Sequence, residues 1–203
     1  MEQLNILKNE GYDICSHTHT HNGALFNPNE GLPTSSEDDI YNDLVASRRW
    51  LENNGFNSEG LIFPWGSYAK HKRKAILQAI KAGFQYASDA TGQINIGNVI
   101  NTYWLQRWFI GSSNGHRASD AKNRIDQCIQ ENGWLILSTH CYNTDEFIAS
   151  EFEEVVDYAI SRGINIMTYK DAFDAKRNIC SIGYYYDKSN RLYIGRDGIV
   201  YND

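Results

Sequence analysis

Positive charge is not in excess over this chain as a whole: 19 lysines and arginines stand against 25 aspartates and glutamates, a formal net charge of −6, with a pI near 5.5. Phosphate backbones are gripped through clustered Lys and Arg. Apart from the short run KHKRK at residues 70–74 the basic residues are dispersed among a larger number of acids, so nucleic acid is not an expected partner. Long apolar runs are also missing, since none approaches the ~20 residues that a bilayer-spanning helix needs. The opening MEQLNILKNEG has neither the basic nor the apolar region of a signal peptide, and the chain reads as soluble. Cysteine is sparse. Cys15, Cys128, Cys141 and Cys180 are scattered and form no CxxC pair, which indicates neither a zinc ribbon nor a dense disulfide framework. Their expected role is that of small residues filling core or site walls.

What is present suffices for a globular core: 203 residues, 41% hydrophobic and 22% charged, within the range of one domain. Up to about Asp174, apolar strand-like runs alternate with amphipathic stretches, the pattern of parallel β/α layers. Strands are predicted from Tyr12 to Ser16, Gly60 to Phe63, Phe84 to Ala87, Trp104 to Ile110, Trp134 to Thr139 and Ile164 to Thr168. Helical spacing places Ile40, Leu44, Ser47 and Leu51 on one face. The same spacing groups Ile125, Cys128 and Ile129, and then Phe152, Val155, Val156 and Ala159. Ser35 or Ser36 supplies an N-cap before Glu37, Asp38 and Asp39. Gly55, Gly83, Gly133 and Gly163 each follow a helix and are predicted to close it in a left-handed conformation. After Asp174 the text changes to NICSIGYYYDKSNRLYIGRDGIVYND, which predicts a small β-hairpin appendage over residues 175–203. There Tyr184, Tyr185 and Tyr186 are expected to pack on their neighbours rather than to stack on sugar.

Three of the six histidines fall in SHTHTH, just past a predicted strand. A polar surface loop would explain an isolated pair, but this density of imidazole asks for a metal. Imidazole suits zinc and other late divalent ions, and a turn can direct His17 and His21 to one centre while His19 points elsewhere. His140 ends the run WLILST, which in an α/β barrel places it at the carboxyl end of a strand, where catalytic groups gather. His71 and His116 have no partners in view and are expected at the surface.

Four separated motifs, in order, resemble the polysaccharide deacetylase family, also called the NodB-homology domain or carbohydrate esterase family four. GYDICSHTHTH resembles the strand leading into His-Thr-x-x-His, and implies His17 and His21 as metal ligands with Thr18 between them. LIFPWGSY resembles an aromatic-Pro-Tyr-Gly turn, which gives the Trp65 backbone N–H a place in an oxyanion hole. In that turn Pro64 and Gly66 become candidate substrate-binding residues, as does Tyr142, an aromatic near the proposed rim of strand ends that could stack on a pyranose face. LQRWFI is similar to a Leu-Pro-Arg-Ile strand, with Gln106 in place of Pro, and implies that Arg107 orients a catalytic carboxylate. GWLILSTH resembles the final motif and makes His140 the general acid.

The resemblance covers residues 1–174 and implies an incomplete, distorted (β/α) barrel with a divalent metal, zinc above others, acting on an N-acetylated polysaccharide. The family's Thr-Phe-Asp-Asp-Gly motif is not found in the chain. One of its aspartates completes the metal triad and the other is the catalytic base, so reduced or lost activity is expected, and Met1 reads as an internal methionine of a longer product. A barrel lacking that strand exposes an edge, from which self-association through the edge or the C-terminal hairpin is expected. Two rival readings stand beside this one. The first is a non-catalytic carbohydrate-binding or structural domain, as in a phage tail protein. The second is a hydrolase recruiting Asp13, Asp89 or Asp145. Localisation at a cell surface, outside the cell or on a virion would follow only from segments beyond these residues.

Overall fold

A computed structural model describes residues 1–21, 36–64, 72–90, 92–96, 102–111, 115–141, 148–176, 183–186, 191–194 and 200–202. These form α1 (Glu2–Asn9), α2 (Glu37–Asn53), β1 (Gly60–Ile62), α3 (Lys72–Lys81), β2 (Tyr86–Asp89), β3 (Leu105–Gln106), β4 (Trp108–Phe109), α4 (Ala118–Gln130), β5 (Leu137–Ser138), α5 (Ala149–Ser161), α6 (Tyr169–Lys176), β6 (Gly183–Tyr186), β7 (Arg191–Ile194) and β8 (Val200–Asn202). The class is α/β. Among the described residues the strands make three small sheets, in the orders β1-β2-β3, β4-β5 and β6-β7-β8, and no closed barrel. No helix among them is long and apolar enough to cross a membrane.

The chain divides into two compact units. The first comprises residues 1–89, 99–105 and 168–203. In it β1 and β2 pair in parallel, Leu61 opposite Ala87, and Ile62 opposite Ser88. Helix α2 begins with a capping box: Ser36 Oγ accepts from Asp39 N, and the Asp39 carboxylate accepts from Ser36 N at 3.0 Å. The face that the 3.6-residue spacing marks out, Ile40, Leu44, Ser47 and Leu51, is the buried one. Ile40 and Leu44 pack with Ile76 and Ala79 of α3 and with Leu61 and Phe63 at the end of β1. Each large apolar side chain so buried is worth about 1.5–3 kcal/mol.

At the amino ends of β1 and β2, Asn57 Nδ2 donates to Asp13 Oδ1 at 2.8 Å and to the Tyr86 hydroxyl at 2.7 Å. Asp13 Oδ2 accepts from the backbone N–H of Lys170, at the start of α6. Tyr169 and Phe173 of that helix pack their rings on Tyr86.

Burial, with Asp13 nearby, drives the Tyr86 phenol far above its ordinary range despite the Asn57 hydrogen bond. Burial also pushes Tyr103 up to about 12. Both phenols keep their protons in the folded protein while the unfolded chain begins to ionise near 10. Their contribution to stability is therefore complete below that pH and is lost as pH rises towards 12. Each costs about 1.4 kcal/mol per pH unit across that window. Thermal midpoints measured from about pH 9 to about pH 12 should fall steeply, and Tyr103→Phe should remove part of the slope. A flat profile would refute the assignment.

The second unit comprises residues 90–98 and 106–167. Its β4 and β5 pair in parallel, Trp108 opposite Leu137. Helices α4 and α5 bring Ala121, Ile125, Val155 and Ala159 onto Trp108 and Ile110. Of the residues expected on those helix faces, Ile129 and Phe152 are exposed.

Several strands are shorter than the sequence predicts, for local reasons. Residues 12–16 form only one bridge, Ser16 to Leu61. Phe84 N still closes α3 on Ala79 O, so β2 starts two residues late. The span from Trp104 to Ile110 breaks at Arg107, whose carbonyl accepts from Gly92 N. Trp134 bridges Asn95 in antiparallel fashion, which leaves only Leu137–Ser138 as β5. Residues 164–168 make no strand: Ile164 N caps α5 on Ala159 O, and Thr168 Oγ1 accepts from Asp171 N to start α6. Gly55, Gly83 and Gly163 have left-handed backbones as expected, but after α4 that conformation falls on Asn132, φ 48°. Gly133 answers a different need, since a Cβ there would meet Ile94 Cγ2 at 2.4 Å. The C-terminal segment carries the expected hairpin, β6–β7, and a third antiparallel strand, β8, beside it.

Candidate functional site

The histidine segment lies past the carboxyl ends of parallel strands in the first unit. Ser16 N donates to Gly60 O and Ile62 N donates to Ser16 O, so the chain runs beside β1 for a single residue before it turns. Two non-glycine residues in that turn are left-handed, Thr18 at φ 69° and His21 at φ 51°. Such backbone costs on the order of 1–3 kcal/mol per residue, more readily for a β-branched threonine, and persists only where the surroundings enforce it. Here they do so through hydrogen bonds. Thr18 N donates to Ser16 Oγ at 3.1 Å and His21 N to Thr18 Oγ1 at 3.2 Å. The next two amides leave the loop for α2, His19 N reaching Asp43 Oδ2 at 2.9 Å and Thr20 N reaching Asp43 Oδ1 at 3.0 Å.

This path brings the His17 and His21 rings edge to face, centroids 4.9 Å apart and 64° between planes. His17 Nδ1 lies 2.7 Å from the Ile62 carbonyl oxygen. A carbonyl only accepts, so Nδ1 carries the proton and the lone pair of the neutral ring sits on Nε2. A backbone carbonyl fixing the tautomer in this way is the usual arrangement behind a metal-binding histidine. His19 is exposed, its amide committed to Asp43.

Of the other candidates, Pro64 is buried two residues beyond β1. Trp65, Gly66, Tyr142, Asp145 and His71 lie outside the described residues. Arg107 and His140 belong to the second unit. Arg107 is half-buried between β3 and β4. His140 is exposed two residues past β5, its ring 4.8 Å from that of Phe109. Asp13 has its carboxylate engaged by Asn57 and Lys170 N, which is a structural role. Asp89, at the end of β2, is wholly buried.

His116 departs from the surface position expected of it. It stacks on Trp108 at 4.4 Å, and its Nδ1 donates to Phe109 O at 2.8 Å. Cys141 is exposed where a wall residue was expected, whereas Cys15 and Cys128 are half-buried. Cys180 is outside the described residues.

Asp43 and Ser47 hold the histidine segment, a role that sequence reasoning missed. They sit one turn apart on the buried face of α2, and Ser47 Oγ is 2.6 Å from Ser16 Oγ. The available signal was an acid on the inward stripe that runs through Ile40, Leu44 and Leu51.

Among the described residues, no group of three or more His, Cys, Asp or Glu side chains assembles as a metal set. No family model, curated protein or solved structure matches the chain.

Proposed function

We propose that this chain carries the histidine-pair portion of a metal-dependent N-deacetylase acting on an N-acetylglucosamine-type polysaccharide, on an incomplete, distorted (β/α) barrel. The observation that carries the reading is the His17–His21 ring pair with His17 Nδ1–H held by the Ile62 carbonyl. That donor set fits a late divalent ion in kind, because two imidazoles lie side by side and one has its tautomer fixed for coordination through Nε2. His17 and His21 would hold zinc, which when bound lowers the pKa of a water from near 16 towards ~7.

The remaining roles follow the motif resemblance. On that resemblance alone, His140 would donate a proton to the departing sugar amine. The Trp65 N–H stabilises the tetrahedral oxyanion, a contribution of ~3 kcal/mol to the barrier for one such donor. Arg107 orients a carboxylate, and Pro64, Gly66 and Tyr142 contact the sugar. The products are acetate and a glucosamine-type residue.

The test is zinc content together with acetate release from an N-acetylglucosamine oligomer. Stoichiometric zinc with acetate release supports the full reading. Zinc without acetate reduces it to a metal-binding, non-catalytic carbohydrate domain, and absence of zinc overturns it.

A further inference from the structure

We propose that Asp43 is the positioning residue of the histidine pair: from α2, its carboxylate holds residues 18–21 in the backbone path that sets the His17 and His21 rings together. The purpose of that role rests on the metal-binding reading above; its geometry does not. Asp43 is only 7% exposed, on a helix anchored in the core through Ile40 and Leu44 on either side. Both carboxylate oxygens are engaged by the loop. Oδ1 accepts from Thr20 N at 3.0 Å and Thr20 Oγ1 at 2.8 Å, while Oδ2 accepts from His19 N at 2.9 Å and Thr20 N at 3.2 Å.

An acid so saturated is a scaffold rather than a base or a ligand. It binds the two amides lying between the two left-handed residues, Thr18 and His21. Ser47, a turn further along the helix, meets Ser16 Oγ, which in turn accepts from Thr18 N. One rigid helix therefore grips the loop at its start and at its middle, and the histidines are carried on the remaining residues.

Every donor facing Asp43 is an N–H or O–H, so an amide in its place must turn its own NH₂ towards one of them. Asp43→Asn is thus expected to release the loop while leaving the apolar face of α2 untouched. Loss of a supporting partner of this kind typically weakens metal affinity 10–100-fold.

The experiment measures zinc affinity by chelator competition for the full chain, Asp43→Asn and Thr20→Val, alongside metal-free NMR. The NMR follows hydrogen exchange at the His19 and Thr20 amides and the contact between the His17 and His21 ring protons. Expected are a 10–100-fold loss for Asp43→Asn, a few-fold loss for Thr20→Val, and faster amide exchange with a weakened ring contact in Asp43→Asn. Should Asp43→Asn fail to fold, Thr20→Val, which removes one hydroxyl from an exposed position, carries the test. Unchanged affinity and an unchanged ring contact in the folded variants overturn the proposal. Should the parent chain bind no zinc, the metal reading fails, and the metal-free ring contact and amide exchange alone decide whether Asp43 positions the loop.

Discussion

Replacing His17 by alanine should weaken zinc binding by more than roughly 100-fold, beyond the range that losing a mere supporting partner produces. The substitution removes the Nε2 lone pair and the Nδ1–H bond to Ile62 together. His17 is exposed and outside the core, so folding stability without metal should fall by no more than one hydrogen bond contributes, about 0.5–1.5 kcal/mol. Zinc at 100 times its dissociation constant should stabilise the parent chain by about 2.7 kcal/mol, visible as a raised thermal midpoint, and should do nothing for the variant. Retention of tight zinc binding in His17→Ala would remove this histidine from the site.

Phe63→Ala should be the most damaging single change to the fold, costing about 3–5 kcal/mol in urea unfolding. The side chain is 0% exposed and lies 6.1 Å, ring to ring, from Trp104 within the core of the first unit. Its backbone N–H donates to Ser88 O and keeps the end of β1 in register with β2. On one side of it Ile62 supplies the carbonyl that orients His17, and on the other stands Pro64. The cavity therefore opens beneath the very segment that sets the imidazole. A loss under 1 kcal/mol would mean that neighbouring side chains collapse into the space, contrary to the packing described.

Much of the α/β pattern was legible in the sequence, because helix faces repeat over three or four turns. The stripe through Ile40, Leu44, Ser47 and Leu51 is buried as its spacing requires. Strand limits were less legible: parallel strands of two to four residues give too few side chains for a period to register, and caps decide their ends. Thr168 illustrates this, since a β-branched residue in an apolar run reads as strand but serves α6 through its hydroxyl. The pairing of His17 with His21 was readable from residue type and spacing. The hold of Asp43 on the loop was not, because an acid in a helix ordinarily faces solvent and its partners lie 23 and 24 positions away.

The bond between Lys170 N and Asp13 joins residues 157 positions apart. Synthesis at roughly 5–20 residues per second separates their appearance by about 8–30 s. During that interval the segment bearing the histidines has β1 and α2 to lean on while α6 is still unmade. The segment around Asp13 is then open to chaperones and proteases, and its closure waits on the synthesis of Lys170.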